Sequence, residues 1–156
     1  MNRAEARAAL EELQGEYVAC LDDGRYEEWP GFFNESCRYQ ILPASSHARG
    51  LLSGFYLCES QGMLHDRVLA LRETSIFVPQ GYRHLLGRPR ILAVDDEGCR
   101  AETSYLVTRT IQGEETTMFA AGKYIDTITF AGAARFVERI VLTDSDGLDM
   151  YLIAPI

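Results

Sequence analysis

Three histidines, His47, His65 and His84, are the only imidazoles in the chain, so metal-binding or acid–base chemistry would depend on them. They stand 18 and 19 residues apart, and no HxH, HxxxH or CxxC pattern places ligands close together. Nucleophile motifs such as GxSxG and glycine-rich phosphate loops are also missing from the sequence. We therefore predict that the chain holds no metal ion and no covalent catalytic nucleophile.

An acid–base site is the catalytic arrangement that the residue types leave open. A histidine paired with a carboxylate and flanked by a tyrosine is sufficient for proton transfer on a small cyclic substrate. In this interpretation His84, Asp22 and Tyr39 form the site. In the structural alternative Asp22 ends a helix, Tyr39 belongs to the core, and His84 is a buried, hydrogen-bonded histidine.

Composition argues against several classes of partner. The formal net charge is −8 and the pI about 4.9, so the chain lacks the excess of cations that binding to nucleic acid requires. No apolar run reaches 18 residues, and acidic side chains occupy the start of the chain, so we expect a cytoplasmic protein without a membrane segment. Four widely spaced cysteines, expected to be buried free thiols, are Cys20, Cys37, Cys58 and Cys99.

Apolar spacing predicts two helices in the first half of the chain. The first extends over about residues 4–22 and is ended by Gly24, and the second covers 62–73. Residues 25–33 form a short aromatic turn, and the Ser- and Gly-rich stretch 44–53 is expected to be a loop.

The second half has the β-branched and aromatic composition of a sheet. A strand over Arg38–Leu42 precedes it, and from Tyr82 onward turns at 95–98, 112–113 and 131–132 predict four strands. Alternation places four side chains of the last strand on one face: Phe136, Glu138, Ile140 and Leu142. The sequence therefore predicts one α+β domain over 1–156, with N-terminal helices packed on a strongly bent antiparallel sheet.

Several stretches, in this order, resemble one known family. They are Leu21–Pro30, Gln61–Val68, Tyr82–Gly87, Ala121–Asp126, Glu138–Arg139, Asp144–Ser145 and Pro155–Ile156. The chain is similar to the small (β) subunit of bacterial Rieske-type aromatic-ring-hydroxylating dioxygenases. This resemblance implies a cone-shaped nuclear transport factor 2-like (cystatin-like) fold, which scytalone dehydratase shares. Within the family, Glu59–Met63 and Tyr82–Pro89 resemble small subunits that serve aromatic carboxylic acids, such as those of terephthalate dioxygenase and salicylate 5-hydroxylase.

The resemblance implies a non-catalytic subunit that supports a large (α) oxygenase subunit. The large subunit would carry a Rieske 2Fe–2S cluster and a mononuclear Fe(II), and NAD(P)H would supply electrons through a separate reductase. The expected assembly is three large plus three small subunits, with contacts between small subunits as well. The charged and aromatic residues expected at subunit interfaces are Trp29, Arg67, Arg83, His84, Asp126, Arg139 and Asp144. The competing hypothesis is a stand-alone cone-pocket lyase or isomerase, similar to scytalone dehydratase, that uses His84 and Asp22.

Overall fold

The computed structural model describes residues 1–51, 54–73, 79–147 and 154–156. The α-helices in these ranges are α1 (Arg3–Asp22), α2 (Ala44–Ala48) and α3 (Gln61–Glu73), and a 3₁₀-helix covers Trp29–Phe32. The strands are β1 (Phe33–Pro43), β2 (Tyr56–Cys58), β3 (Gln80–Leu86), β4 (Arg90–Val94), β5 (Gly98–Ile111), β6 (Thr116–Thr129) and β7 (Arg135–Thr143). Among the helices of these ranges, none is long and apolar enough to cross a membrane.

Local capping fixes both ends of α1. The side chain of Asn2 accepts hydrogen bonds from the backbone N–H of Ala4 and Glu5, and the Glu5 carboxylate accepts from the N–H of Asn2. At the other end Gly24 has a φ of 69°, which glycine adopts without the steric cost that a Cβ imposes. The prediction of a helix over about 4–22 is confirmed.

The sheet is mixed. Its strand order is β2-β1-β7-β6-β5-β3, and β4 also pairs with β5. Neighbouring strands are antiparallel except for β1 and β7, which run parallel. The predicted α+β class is confirmed, while the prediction of a purely antiparallel sheet is wrong for this pair because β7 returns beside a strand from the first third of the chain.

The predicted meander is present with one interruption. Strands β3 and β4 both pair antiparallel with β5, each with a different part of it. The sequence predicts a single strand from Tyr82 to the turn at 95, and the structure has these two strands there. The break falls at Gly87–Pro89, where proline lacks the N–H that a continuous ladder needs. The three predicted turn positions are confirmed, and Gly113 and Gly132 have positive φ values there.

A bulge in β7 changes which of its side chains face the core. Phe136 lies opposite Ile128, whereas Glu138 lies opposite Thr127, so Val137 is an extra residue on the β7 side. Phe136 and Arg139 consequently share the buried face. The predicted grouping of Phe136 with Glu138 is wrong, because simple alternation assumes an uninterrupted ladder.

Two helical predictions have different outcomes. The helix predicted at 62–73 is confirmed as α3, and its buried side chains are Leu64, Val68 and Leu71. The prediction of a loop over 44–53 is wrong for Ala44–Ala48, which form α2 directly after Pro43. Residues 52–53 lie outside the described ranges.

The four cysteines are free and buried, as the sequence predicts. Burial raises the pKa of the Cys99 thiol to about 11, and the Cys20 and Cys37 thiols are raised to the same value for the same reason. We expect all four to resist iodoacetamide at pH 8 in the folded chain and to react after unfolding in guanidinium. Mass spectrometry counts the adducts, and rapid labelling of the native chain would contradict this account of the thiols.

Candidate functional site

His84 and Asp22 form a buried pair where α1 ends beside β3. The Nδ1 atom of His84 is 2.6 Å from Oδ1 of Asp22, and the backbone N–H of His84 donates to Oδ2 at 3.0 Å. The two side chains are 1% and 6% exposed. Because one carboxylate binds both the ring and the backbone, the helix end is fixed to the strand at this point.

The ring of His84 lies at one end of an open cleft between α1 and the β3–β4 connection. The cleft has a volume of about 420 Å³, and its lining includes Gln14 and Val18 from the helix and Gly87 and Pro89 from the connection. Nε2 of His84 is buried and has no hydrogen-bond partner among the described residues. The pair can therefore position an imidazole at this cleft, whose other polar lining side chains are Glu11, Gln14 and Arg88.

Removing the carboxylate tests the structural role of this pair. In Asp22→Ala the N–H and ring of His84 lose their acceptor, so we expect the free energy of unfolding to fall by roughly 1–3 kcal/mol. The matched control is Asp23→Ala, since the side chain of Asp23 is 62% exposed and its loss should cost less than about 0.5 kcal/mol. Urea titrations compare the two variants, and equal stabilities would show that the pair does not hold the helix to the strand.

A second buried pair lies inside the sheet. Arg139 on β7 and Asp126 on β6 are directly opposite in register, and their side chains have no exposed surface. Nε and Nη2 of Arg139 donate to the two carboxylate oxygens at 2.8 Å each. Gln14 on α1 donates to the same carboxylate at 2.9 Å and to Thr103 on β5 at 3.0 Å. The pair therefore links the first helix to three central strands.

Aromatic rings surround the guanidinium of Arg139. Its Cζ lies 4.3 Å from the ring centre of Tyr17, 4.2 Å from that of Tyr124 and 3.9 Å from that of Phe136. Burial alone would lower the pKa of Arg139, but the charge and hydrogen bonds of Asp126 outweigh burial and raise it. Arg139 therefore stays charged and cannot act as an acid or base.

The last residue described, Ile156, closes the interior between α1 and β1. Its carbonyl oxygen accepts hydrogen bonds from the hydroxyls of Tyr17 at 3.1 Å and Tyr39 at 2.9 Å, and its N–H donates to Tyr39 at 2.9 Å. Trp29 donates to the Tyr17 hydroxyl at 3.1 Å. The backbone of residue 156 thus joins Tyr17 on α1 to Tyr39 on β1 through buried hydrogen bonds.

The three residues of the predicted acid–base site do not come together. Asp22 and His84 are paired, but the hydroxyl of Tyr39 is engaged by the backbone of Ile156. Burial also raises the pKa of Tyr39 well above its ordinary value, so its hydroxyl holds its proton throughout the neutral range. The geometry favours the structural interpretation of Tyr39 over the catalytic one.

The residues predicted at interfaces divide into internal and exposed groups. Trp29, Asp126 and Arg139 have no exposed surface in this chain, so they shape the domain and offer no atoms to a partner directly. Arg67 on α3 is exposed, and Arg83 is 74% exposed at its side chain while lying 4.0 Å from Asp22. His84 is buried, and Asp144 is exposed just after β7. An interface role for this set remains a prediction.

Gln14 and Ile156 are two contributors that the sequence interpretation missed. Gln14 is a polar residue beside the apolar stripe of α1, and it is 1% exposed. A polar side chain at a core-facing helical position is a signal for a buried hydrogen bond. Nothing in the local sequence indicates that residue 156 returns to the centre of the fold.

The remaining question about this site is whether side chains come together as metal ligands. Within the ranges that the structure describes, no three His, Cys, Asp or Glu side chains converge as ligands. The four buried cysteines are separate free thiols, which does not fit the paired Cys and His ligands of a Rieske cluster.

Sequence comparison gives consistent matches. The family model described as "Ring hydroxylating beta subunit" matches residues 17–149. The chain is 38% identical to the beta 1 subunit of the terminal oxygenase component of terephthalate 1,2-dioxygenase from Comamonas sp over 141 residues, 90% of this chain and 92% of that protein. It is 35% identical to the small subunit of anthranilate 1,2-dioxygenase from Burkholderia cepacia over 145 residues, 92% and 90% of the two chains.

Structure comparison agrees with the sequence. A crystal structure of a protein assigned as the beta subunit of an aromatic-ring-hydroxylating dioxygenase from Novosphingobium aromaticivorans superposes with a TM-score of 0.88. It is 36% identical, and the match covers 97% of this chain and 96% of the other. A protein assigned as a scytalone dehydratase from the same organism has a TM-score of 0.67 at 18% identity, covering 87% and 82%, and shows the shared cone-shaped fold alone.

Proposed function

This chain belongs to the ring hydroxylating beta subunit family, and from that premise we propose that it works as a single, non-catalytic domain that holds large oxygenase subunits together. It is a small subunit of an aromatic-ring-hydroxylating oxygenase, and the resemblance found in the sequence is confirmed. The comparisons do not support a stand-alone lyase or isomerase.

The observation that carries the proposal is the buried Arg139–Asp126 pair. In fold relatives that act as enzymes the cone holds polar groups that react, whereas here this ion pair and the bonds of Tyr17 and Tyr39 to Ile156 tie the buried polar groups to one another. A buried ion pair bound in two hydrogen bonds and enclosed by rings gives a rigid, specific interior, and its guanidinium stays charged. Such an interior suits a scaffold, because a scaffold must hold its outer surface in one shape.

The chemistry belongs to the large subunit in this proposal. That subunit carries a Rieske 2Fe–2S cluster and a mononuclear Fe(II), and a separate reductase passes electrons to it from NAD(P)H. The complex uses these electrons to activate O₂ and hydroxylate an aromatic ring. In this proposal the residues of this chain bind no cofactor, and their role is to hold the large subunits in position in the assembly.

Aromatic carboxylic acids are the proposed substrate class. The relatives that share 38% and 35% identity belong to dioxygenases named for terephthalate and anthranilate, both aromatic carboxylates. The substrate binds to the large subunit, so the small chain indicates substrate class through shared ancestry. The proposed assembly contains three large and three small subunits, with contacts between small subunits as well as with the large ones.

Purification of the tagged chain from its native cells tests this function. Light scattering, iron and acid-labile sulfide analysis, and mass spectrometry of the partner should give a stoichiometric complex with a larger iron protein that carries paired Cys and His ligands. The complex, supplied with a reductase and NADH, should consume O₂ when terephthalate or anthranilate is added. An iron-free homo-oligomer as the sole product would overturn the proposal and would favour a cone-pocket enzyme that uses His84 and Asp22.

A further inference from the structure

We propose that Arg67, which lies over the ring of Tyr56, is an anchor that binds a carboxylate of the large subunit. This inference rests on the proposed function, since it names the chemistry of one contact in that assembly. The surface concerned comprises Arg67 and Met63 on α3 with Tyr56 on the edge strand β2, and we call it the α3–β2 surface.

The backbone elements fix the position of Arg67. Helix α3 buries Leu64, Val68 and Leu71, and Arg67 lies exposed at the edge of this buried stripe, next to β2. The Cζ atom of Arg67 lies 4.1 Å from the ring centre of Tyr56, and Tyr56 is only 5% exposed. A guanidinium on a buried ring loses much of its rotational freedom while its N–H groups at the edge stay available for hydrogen bonds.

Arg67 has no acidic partner in the described part of the chain. No carboxylate oxygen of residues 1–51, 54–73, 79–147 or 154–156 lies within 4.0 Å of its nitrogens. Arg72, on the same helix, donates to Glu27 at 2.6 Å and to the carbonyl of Gly24 at 2.9 Å. In a chain of net charge −8, Arg67 is thus a preorganised cation that no carboxylate of the described residues neutralises.

An apolar side chain lies beside Arg67 on the same helix. Met63 stands one helical turn before Arg67 and is 41% exposed. Arginine, tyrosine and methionine are enriched at the centres of protein interfaces, where surrounding apolar contacts exclude water from a charged pair. Exclusion of water would strengthen an ion pair at this position.

A carboxylate from a protein fits this surface better than a phosphate polymer does. The planar guanidinium matches a carboxylate in a two-pronged hydrogen bond. The acidic chain as a whole would repel a nucleic acid or an anionic membrane. An acidic side chain of the large subunit, flanked by apolar residues, is therefore the partner that this chemistry favours.

A competition experiment measures the contribution of Arg67. The tagged large subunit is produced together with equal amounts of wild-type and variant small subunit, and mass spectrometry of the purified complex gives the ratio incorporated. The test variant is Arg67→Gln, and the control is Arg49→Gln, because Arg49 is also exposed but lies over no aromatic ring of the described residues. We expect Arg67→Gln to be under-represented by about tenfold or more and Arg49→Gln to stay within about twofold of wild type.

Two further measurements keep the outcome interpretable. Arg67→Lys retains the positive charge, so its thermal unfolding should match that of the wild type. It lacks the planar guanidinium, so it should still compete less well than the wild type for the large subunit. Equal incorporation of wild type, Arg67→Gln and Arg67→Lys would overturn the anchor while leaving the proposed function intact. Failure of the wild-type chain to join the large subunit would instead overturn the proposed function, and the anchor with it.

Discussion

Replacing Arg139 by methionine is expected to lower the free energy of unfolding by about 3–5 kcal/mol. The substitution leaves the Asp126 carboxylate buried beside Gln14 without its charge partner, and a lone buried carboxylate is costly. It also removes the cation enclosed by Tyr17, Tyr124 and Phe136. Urea titration followed by circular dichroism measures the loss.

Two comparisons isolate the cause of this loss. Arg100→Met removes an exposed arginine of β5 and should change stability by less than about 0.5 kcal/mol. The double variant Arg139→Met, Asp126→Leu replaces both charges by apolar groups, so it should be more stable than Arg139→Met alone. A double variant that is as unstable as the sum of the single changes would contradict the account of an unpaired charge.

The change Gly122→Ala is expected to destabilise the sheet by at least about 3 kcal/mol. A Cβ at position 122 of β6 would overlap the carbonyl oxygen of Leu142 and lie 3.2 Å from Cα of Thr143 on β7. Backbone atoms in a paired strand cannot move aside as a flexible side chain does, so β6 and β7 would have to separate locally. Thermal unfolding of the purified chain gives the effect.

The matched control for this change is Gly81→Ala in β3. A Cβ at position 81 meets no heavy atom within 4 Å, and the backbone there does not have a positive φ. Alanine at such a site restricts the unfolded chain and should stabilise by up to about 1 kcal/mol. If the two alanine variants unfolded at the same temperature, close approach of β7 would not be the reason for glycine at position 122.

Local patterns predicted the elements well and their pairing poorly. The stripe of α1 and its stop at Gly24 follow from side-chain periodicity and from the positive φ that glycine accepts. The parallel pairing of β1 and β7 has no local signature, because it joins strands about a hundred residues apart. The bulge at Val137 likewise depends on the register of β6, which alternation within β7 cannot show.

The sequence also indicated part of the candidate site. It suggested that Asp22 and His84 could pair, and they do at 2.6 Å. It could not assign Tyr39, since the hydroxyl of Tyr39 is bound by the backbone of Ile156 from the other end of the sequence. The sequence leaves open whether Arg139 and Asp126 pair within the domain or meet a partner, because their register depends on the bulge at Val137.

The position of β7 in the sheet governs how the nascent chain can mature. Among the strands of the described residues it is synthesised last, yet it lies between β1 and β6. Until the ribosome has released residues 135–143, the β1–β2 ribbon and the β6–β5–β3 meander each present an open edge that can capture another chain. Interrupted synthesis or proteolytic loss of this strand would therefore leave two partial sheets with exposed edges that aggregate. The amount of folded protein in the cell should depend on complete synthesis and on rapid insertion of β7.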